Sequence, residues 1–325
     1  MVETVKRVKG IWVTWEHQRR NEGISSVLGW PLRAIVIDRP RLLRYFLSSI
    51  ETVKLIRKEK PEIVAAQNPS IVLATVAVLL GPVLGYKVLI DAHNSGIYPL
   101  EGRSFFLRSI SKWLQRNADL TIVTNQDLKS VVESNGGKAF VLPDRLPQVH
   151  NQMARPLDGR VKIVFICTYS LDEPYKEVFK AARIISEDVM IYVTGGYEGK
   201  VDPSCIPANV KLLGFVPDDK FWALLSSSDL VMDLTLREGC LVCGAYEGVA
   251  LLKPLILSDT KVLRSYFNEG CIYVAPDAES IAKGIQGAIR DVEGLRCGIR
   301  RLKERLENSW EGTLKDLVNT IESMG

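Results

Sequence analysis

Six cysteines (Cys167, Cys205, Cys240, Cys243, Cys271 and Cys297) and three histidines (His17, His93 and His150) are the side chains best suited to metal, redox or nucleophilic chemistry. The two sets are segregated, since every histidine precedes residue 160 and every cysteine follows it. Only Cys240 and Cys243 form a C-x-x-C, and neither a second pair nor a nearby histidine completes a zinc set. Leu-Val stands between them where a thioredoxin-type motif usually carries Gly-Pro. The six thiols are therefore expected to be reduced and mostly buried as small apolar residues. Phosphate cradles are also missing in their usual forms. No G-x-G-x-x-G follows the first strand pattern, and GGYEGK (195–200) lacks Walker spacing and a Ser/Thr after its lysine. These absences argue against a nicotinamide dehydrogenase and a P-loop ATPase. No G-x-S-x-G elbow and no Asp-x-Asp metal site are present either.

The elements that must position any site are easier to read. At roughly 150 residues per domain, 325 residues suggest two domains. A content of 46% hydrophobic and 25% charged residues excludes disorder, collagen and a disulfide-stapled miniprotein. Short apolar runs recur through the chain: 10–15, 33–37, 62–66, 87–91, 120–124 and 139–142, then 161–167, 189–194, 210–215, 230–234, 254–258 and 272–275. They are continuous rather than alternating, which predicts parallel strands buried on both faces. Helical patterns lie between most of them, at 41–58, 104–116, 126–134, 175–185 and 218–227. Strand–helix alternation predicts doubly wound α/β sheets. The stretch 143–159 holds three prolines and no periodicity, so it reads as an interdomain linker. Two Rossmann-like domains follow, 1–150 and 151–308, expected to face each other across a cleft. In the last segment Trp310, Leu314, Leu317, Val318 and Ile321 make one apolar helix face, with Asn308 or Ser309 placed to cap it. That helix, 309–325, needs a surface already built.

The stretch 209–275 resembles the donor half of retaining glycosyltransferases of family 4, which have the GT-B fold. The matching residues are Gly214-Phe215-Val216-Pro217, Ser228-Asp229, Glu238-Gly239, Glu247, Lys253-Pro254 and Ser258-Asp259. Gly270, the strand Ile272-Tyr273-Val274 and the helix opening at Asp277-Ala278-Glu279 continue the match. Ser309-Trp310-Glu311 resembles the aromatic entry to a final helix that crosses back to the first domain. The resemblance implies transfer of a sugar from a nucleotide diphosphate sugar to a hydroxyl acceptor, with retention and without a metal or other cofactor. It assigns Glu238 to sugar hydroxyls and Glu247 to the ribose, both suited to charge-assisted hydrogen bonds. The diphosphate is then expected near Gly239, Cys240 and Leu241, at the start of the following helix. Phe215 and Val216 complete the donor side. The usual Arg and Lys that neutralise the diphosphate map to Thr168 and, roughly, Lys176, with Arg237 as a substitute cation. Three departures stand out: eight residues separate the two glutamates instead of seven, Leu241 occupies a small-residue position, and Cys167 replaces a glycine.

In the first domain the resemblance is architectural. It places His93, beside Asn94, at a strand end facing the reacting sugar, as a catalytic residue with Glu238. Arg19 and Arg20 follow the first strand and Asn68 ends the third, which puts them on the acceptor side. The net charge of +4 hides an asymmetry. Residues 1–150 carry 21 Lys/Arg against 13 Asp/Glu, and residues 151–325 carry 21 against 25. A basic first half is consistent with an anionic partner, such as acidic lipid headgroups or a phosphate-linked acceptor. No nucleic-acid motif accompanies it. Arg19, Arg20, Arg33, Arg39, Arg41 and Arg44, interleaved with Trp12, Trp15 and Trp30, suggest peripheral contact with a membrane and a lipid-linked acceptor in surface-glycan assembly. The apolar run 71–86 is broken by Gly81 and Pro82 and is too short to span a bilayer, so a buried helix is expected there. The N-terminal residues show no signal-peptide pattern, which favours a cytoplasmic location. Two rival readings share this fold: a nucleotide-sugar epimerase and a non-catalytic nucleotide-sugar-binding subunit.

Overall fold

All named strands pair in parallel, in two six-stranded sheets. The computed structural model describes residues 8–68, 70–149 and 156–324, apart from the side chain of Arg19. The chain divides into an N-terminal unit, Met1–Arg145 with Trp310–Gly325, and a C-terminal unit, Leu146–Ser309. The first sheet is built by β1 (Gly10–Thr14), β2 (Leu32–Ala34), β3 (Ile63–Asn68), β4 (Lys87–Ala92), β5 (Leu120–Val123) and β6 (Ala139–Val141). Its helices are α1 (Arg19–Leu28), α2 (Arg41–Glu59), α3 (Ile71–Leu84), α4 (Asn94–Ile97), α5 (Phe105–Asn117) and α6 (Gln126–Ser134). The second sheet has β7 (Val161–Phe165), β8 (Val189–Thr194), β9 (Val210–Gly214), β10 (Leu230–Asp233), β11 (Leu255–Ser258) and β12 (Cys271–Val274). With it go α7 (Tyr175–Ala182), α8 (Asp218–Ser227), α9 (Cys243–Ala250), α10 (Lys261–Tyr266), α11 (Ala278–Arg290) and α12 (Val292–Glu322).

The strand orders are β2-β1-β3-β4-β5-β6 and β12-β11-β10-β7-β8-β9. Order reverses between β1 and β3, and between β7 and β10. In open parallel sheets, ligands bind beyond the carboxyl ends of the strands at such switch points. Both faces of each sheet are covered. In β1, Ile11 and Val13 enter one core while Trp12 enters the other, and in β3 Val64 and Ala66 oppose Ile63 and Ala65 in the same way. Two-sided burial is why these strands read as unbroken apolar runs.

Several expectations need correction. The last helix does not begin at Asn308 or Ser309, because α12 runs unbroken from Val292 to Glu322. Ile299, Leu302 and Leu306 serve the C-terminal core, and Trp310, Leu314, Leu317 and Ile321 serve the N-terminal one. Apolar residues every three or four positions, with no proline in between, override the local cap signal. Helix α3 forms as expected, capped by Ser70, but Leu79 and Val83 on its outer side stay exposed. The thiols are free, yet only Cys167 is buried; Cys205, Cys243 and Cys297 are exposed and Cys240 and Cys271 half-buried. Trp12, Trp15 and Trp30 all lie in the core. Arg33 pairs with Glu59 at 2.8 Å. Of the linker, residues 150–155, including His150, lie outside the described residues.

Candidate functional site

At the switch point of the C-terminal unit, the loop after β7 is folded around one carboxylate. Glu173 accepts the backbone N–H groups of Thr168 and Ser170, each at 2.9 Å, and the Thr168 hydroxyl at 3.1 Å. Asp172 ties this loop to the one after β10. It accepts the hydroxyls of Ser170 (2.6 Å) and Thr235 (3.2 Å) and pairs with Arg237 at 3.3 Å. From the loop after β8, the Lys200 ammonium donates to the Thr168 carbonyl at 2.7 Å. Gly195 allows that approach. Its φ is +93°, and a Cβ there would sit 2.0 Å from the Cys167 carbonyl oxygen.

The end of β10 holds a second carboxylate. Asp233 is buried and accepts the Gly244 N–H at 2.8 Å. A Cβ on Gly244 would lie 2.6 Å from the same carboxylate, so the close contact requires glycine. Burial pushes the Asp233 pKa well above the usual carboxylate range, and the nearby charges of Glu173, Glu247 and Asp172 push it further, against the Gly244 hydrogen bond. The cap residue of α9, Val242, supplies no side-chain acceptor. The Asp233 carboxylate thus lies at the positive end of that helix, against the Gly244 N–H.

A group with a raised folded pKa stabilises the fold fully below its unfolded value, and this stabilisation fades as pH rises through the folded value. Asp233→Asn keeps an acceptor for Gly244 and removes the charge. It is expected to melt with the wild type near pH 4 and above it at pH 8. Each kcal/mol relieved adds about 2–4 °C to the Tm of a unit this size. An unchanged difference between the two proteins at both pH values would show that folding does not raise the Asp233 pKa.

The other donor-side candidates spread over neighbouring elements. Glu247 is half-buried on α9, and Glu238 is exposed in the loop before it, with no hydrogen bond or ion pair to a described residue. Gly239 and Cys240 are half-buried in the same loop. Leu241 packs against the C-terminal core, as does Val216. The small-residue position of the glycosyltransferase pattern is therefore filled here by a core contact. Phe215, directly after β9, is 82% exposed. Lys176 is exposed on the first turn of α7 and makes no hydrogen bond or ion pair to a described residue, whereas Lys200 is seated on the β7 loop. Sequence reasoning passed over Lys200, Asp172, Glu173 and Asp233. The GGYEGK glycines were the available signal for the first, as a tight loop ending a strand.

In the N-terminal unit, Arg20 is committed to structure. Its Nε and Nη2 donate to Asp91 at 3.0 and 2.9 Å, Nη1 to Asp144 at 2.6 Å and Nη2 to the Leu142 carbonyl at 2.9 Å. The Arg20 and Asp91 side chains are 5% and 1% exposed. Burial opposes the charge, yet Asp91 and Asp144 hold the guanidinium pKa above its ordinary value. The side chain of Arg19 lies outside the described residues. Thr14, Glu16 and Gln67 interlock the loop after β1, Gln67 donating to Glu16 at 3.1 Å. His93 occupies the cap position of α4 beside half-buried Asn94, and its N–H donates to the Asn68 carbonyl at 3.2 Å. His93 Nε2 and Asn68 Oδ1 are both buried without a hydrogen-bond partner, the former 3.9 Å from Asp91. Such atoms are rare in native structures and favour a ligand or water as partner. Among the described residues, no group of three or more His, Cys, Asp or Glu side chains could hold a metal ion.

No family model and no curated protein matches the sequence. Solved structures match in fold. HepE from Anabaena, in complex with UDP and glucose, superimposes with a TM-score of 0.75 at 12% identity, covering 97% of this chain and all (100%) of that one. Sucrose-phosphate synthase from Thermosynechococcus elongatus gives 0.70 at 16% identity over 90% of this chain and 83% of its own. The chain has the GT-B fold. S. aureus MnaA, in a co-structure with UDP, shares it with a TM-score of 0.63 at 14% identity, over 97% of this chain and 96% of that one. In this GT-B chain the switch point between β7 and β10 carries Thr168, Arg237, Glu238 and the start of α9, the residues for which donor roles were expected.

Proposed function

We propose that this protein is a nucleotide-sugar-dependent glycosyltransferase resembling family 4, moving a sugar to a hydroxyl acceptor with retention and without a metal. The observation that carries the reading is the convergence at the β7–β10 switch point. There a helix start without a side-chain cap, a lysine on the neighbouring loop and two glutamates share one strand edge. HepE structures that share the fold hold UDP, UDP with glucose, and UDP-glucose.

In this reading the diphosphate lies against the first turn of α9, where backbone N–H groups favour anions. Lys200, oriented by the Thr168 carbonyl, and Arg237 stabilise the leaving diphosphate, taking the place of the family's arginine. Glu247 accepts ribose hydroxyls, Glu238 accepts sugar hydroxyls, and the exposed Phe215 ring supplies an apolar face for the base. His93, with Asn68 and Asn94, serves the acceptor in the N-terminal unit. The protein contributes positioning and charge stabilisation rather than a covalent nucleophile.

Calorimetric titration with UDP and GDP in the presence of a chelator tests the reading, followed by turnover assays. A charge-assisted hydrogen bond contributes about 1.5–3 kcal/mol, or roughly 10- to 150-fold in affinity or rate. Glu247→Ala is expected to weaken nucleotide binding at least tenfold. Glu238→Ala and His93→Ala should leave nucleotide affinity near wild type and lower turnover at least tenfold. A Glu247→Ala affinity within twofold of wild type would remove the ribose assignment. Consumption of the nucleotide sugar without any acceptor would favour an epimerase, and binding without turnover a non-catalytic subunit.

A further inference from the structure

Two anions compete for the start of α9. The first-turn N–H groups of a helix have no partner within it, and the transferase reading puts the donor diphosphate against them. One of these groups is already engaged. Gly244, the second residue of α9, donates its N–H to the Asp233 carboxylate at 2.8 Å. Asp233 is 8% exposed, and among the described residues that N–H is its only hydrogen-bond partner. A buried carboxylate with one backbone donor and no ion pair is an expensive arrangement.

The charges around it make the cost larger. Asp172 and Glu173 from the loop after β7, and Glu247 from α9, all oppose its ionisation. Cys167, at the end of β7, adds no cation: burial, Glu173 and Asp233 together keep it a neutral thiol. The nearby cations are committed to other partners. Arg237 pairs with Asp172 at 3.3 Å, and Lys200 donates to the Thr168 carbonyl at 2.7 Å. After the neighbouring strand β11, Asp259 is paired with Arg264. A diphosphate set against the first turn of α9 therefore brings two ionised phosphates to a place that already holds a poorly compensated carboxylate.

We propose that Asp233 is a positioning residue that acts on the donor through Gly244, and that a diphosphate binding at α9 is accompanied by transfer of one proton from solvent to the Asp233 carboxylate. The only bond formed is the O–H of the carboxyl group. Its carbonyl oxygen still accepts the Gly244 N–H, so the helix start keeps its geometry while the second negative charge is removed. The sign of the coupling follows from linkage. Affinity is level below the pH at which Asp233 ionises in the free protein. It falls as pH rises through that point, by up to about tenfold per pH unit for one proton, and levels again once the bound form also loses its proton. The inference rests on the transferase reading, which supplies the diphosphate and its place.

Calorimetric titration of the full chain with UDP-glucose and with GDP-mannose tests it between about pH 5 and 9. Both phosphates of these probes are esterified, so their own charge is constant over that range, unlike the terminal phosphate of UDP. Each titration is run in two buffers of different ionisation enthalpy, which counts the protons exchanged. The wild type is expected to take up a proton on binding and to lose at least tenfold in affinity across the range. Asp233→Asn keeps an acceptor for Gly244 without a charge. It should bind as tightly as the wild type at the acid end, at least tenfold more tightly at the alkaline end, and with no proton uptake. A residue that only held the fold would leave both the proton count and the pH profile unmoved. Wild-type affinity that is level with pH and exchanges no proton would overturn the proposal. So would an Asp233→Asn profile that falls like the wild type, since another group would then carry the proton. Binding without proton exchange removes the coupling alone, whereas no binding of either probe at any pH removes the donor assignment and the coupling with it.

Discussion

Arg20→Ala is expected to destabilise the N-terminal unit by about 3–5 kcal/mol, the range for leaving one partner of a buried ion pair uncompensated. Asp91 is 1% exposed and would lose the fork that holds both its oxygens. Asp144 and the Leu142 carbonyl would lose their donors too. At about 2–4 °C per kcal/mol for a unit of this size, the melting transition should fall by roughly 6–20 °C. Arg20→Lys should recover only part of this, because an ammonium cannot reproduce a bidentate, in-plane fork. Removing the pair together, as Arg20→Leu/Asp91→Leu, should cost less than Arg20→Ala alone, since no buried charge is left unpaired. A residue that merely touched the acceptor would give the opposite pattern: unchanged melting with lowered turnover. Thermal or denaturant melts of the three variants therefore decide between structure and acceptor contact at a position where sequence suggested the latter.

How much of this was legible varies with the physics of each feature. Strands buried on both faces are written as apolar runs, so β8 coincides with the run 189–194 and the helices α6 and α8 with the patterns 126–134 and 218–227. Helix α12 was legible only in part, because a capping residue is a local signal and an unbroken apolar stripe is a longer one. The glycosyltransferase-like block mixes two kinds of residue. Asp229 accepts the Lys162 N–H at 2.8 Å, Lys253 donates to the Ser226 and Ser228 carbonyls at the end of α8, and Ser258 accepts the Thr235 N–H at 2.8 Å. Those pieces hold the sheet and its loops together. Glu238, exposed and without a hydrogen bond or ion pair to a described residue, is of the other kind. Lys200 escaped because its partner lies 32 residues away in sequence, and the close packing of Gly195 on the Cys167 carbonyl helps bring the two loops together.

The dependence on Gly195 gives the second large effect. In Gly195→Ala the new Cβ meets the Cys167 carbonyl oxygen at 2.0 Å, its carbon at 3.0 Å and the Thr168 Cα at 3.2 Å. All three are backbone atoms, which cannot swing aside as a side chain would. The φ of +93° also lies beyond the left-handed well that L-residues tolerate. Strain of this kind costs about 1–3 kcal/mol before any clash, so a total loss of about 3 kcal/mol or more is expected. Gly199→Ala is the control. It sits at φ +72° in the same loop with nothing within 4 Å, and should cost only about 1–2 kcal/mol. The functional consequences should separate further. Relief of the clash must push apart the loops after β7 and β8, breaking the Lys200–Thr168 contact and the Gly195 N–H bond to the Gly214 carbonyl, 2.8 Å long and next to Phe215. Nucleotide affinity in Gly195→Ala is therefore expected to fall at least tenfold, about 1.4 kcal/mol or more, at temperatures where the protein is still folded, while Gly199→Ala stays within about threefold. If Gly195→Ala bound UDP as wild type does, despite a lowered melting temperature, the two loops would be a structural joint and not part of the donor site.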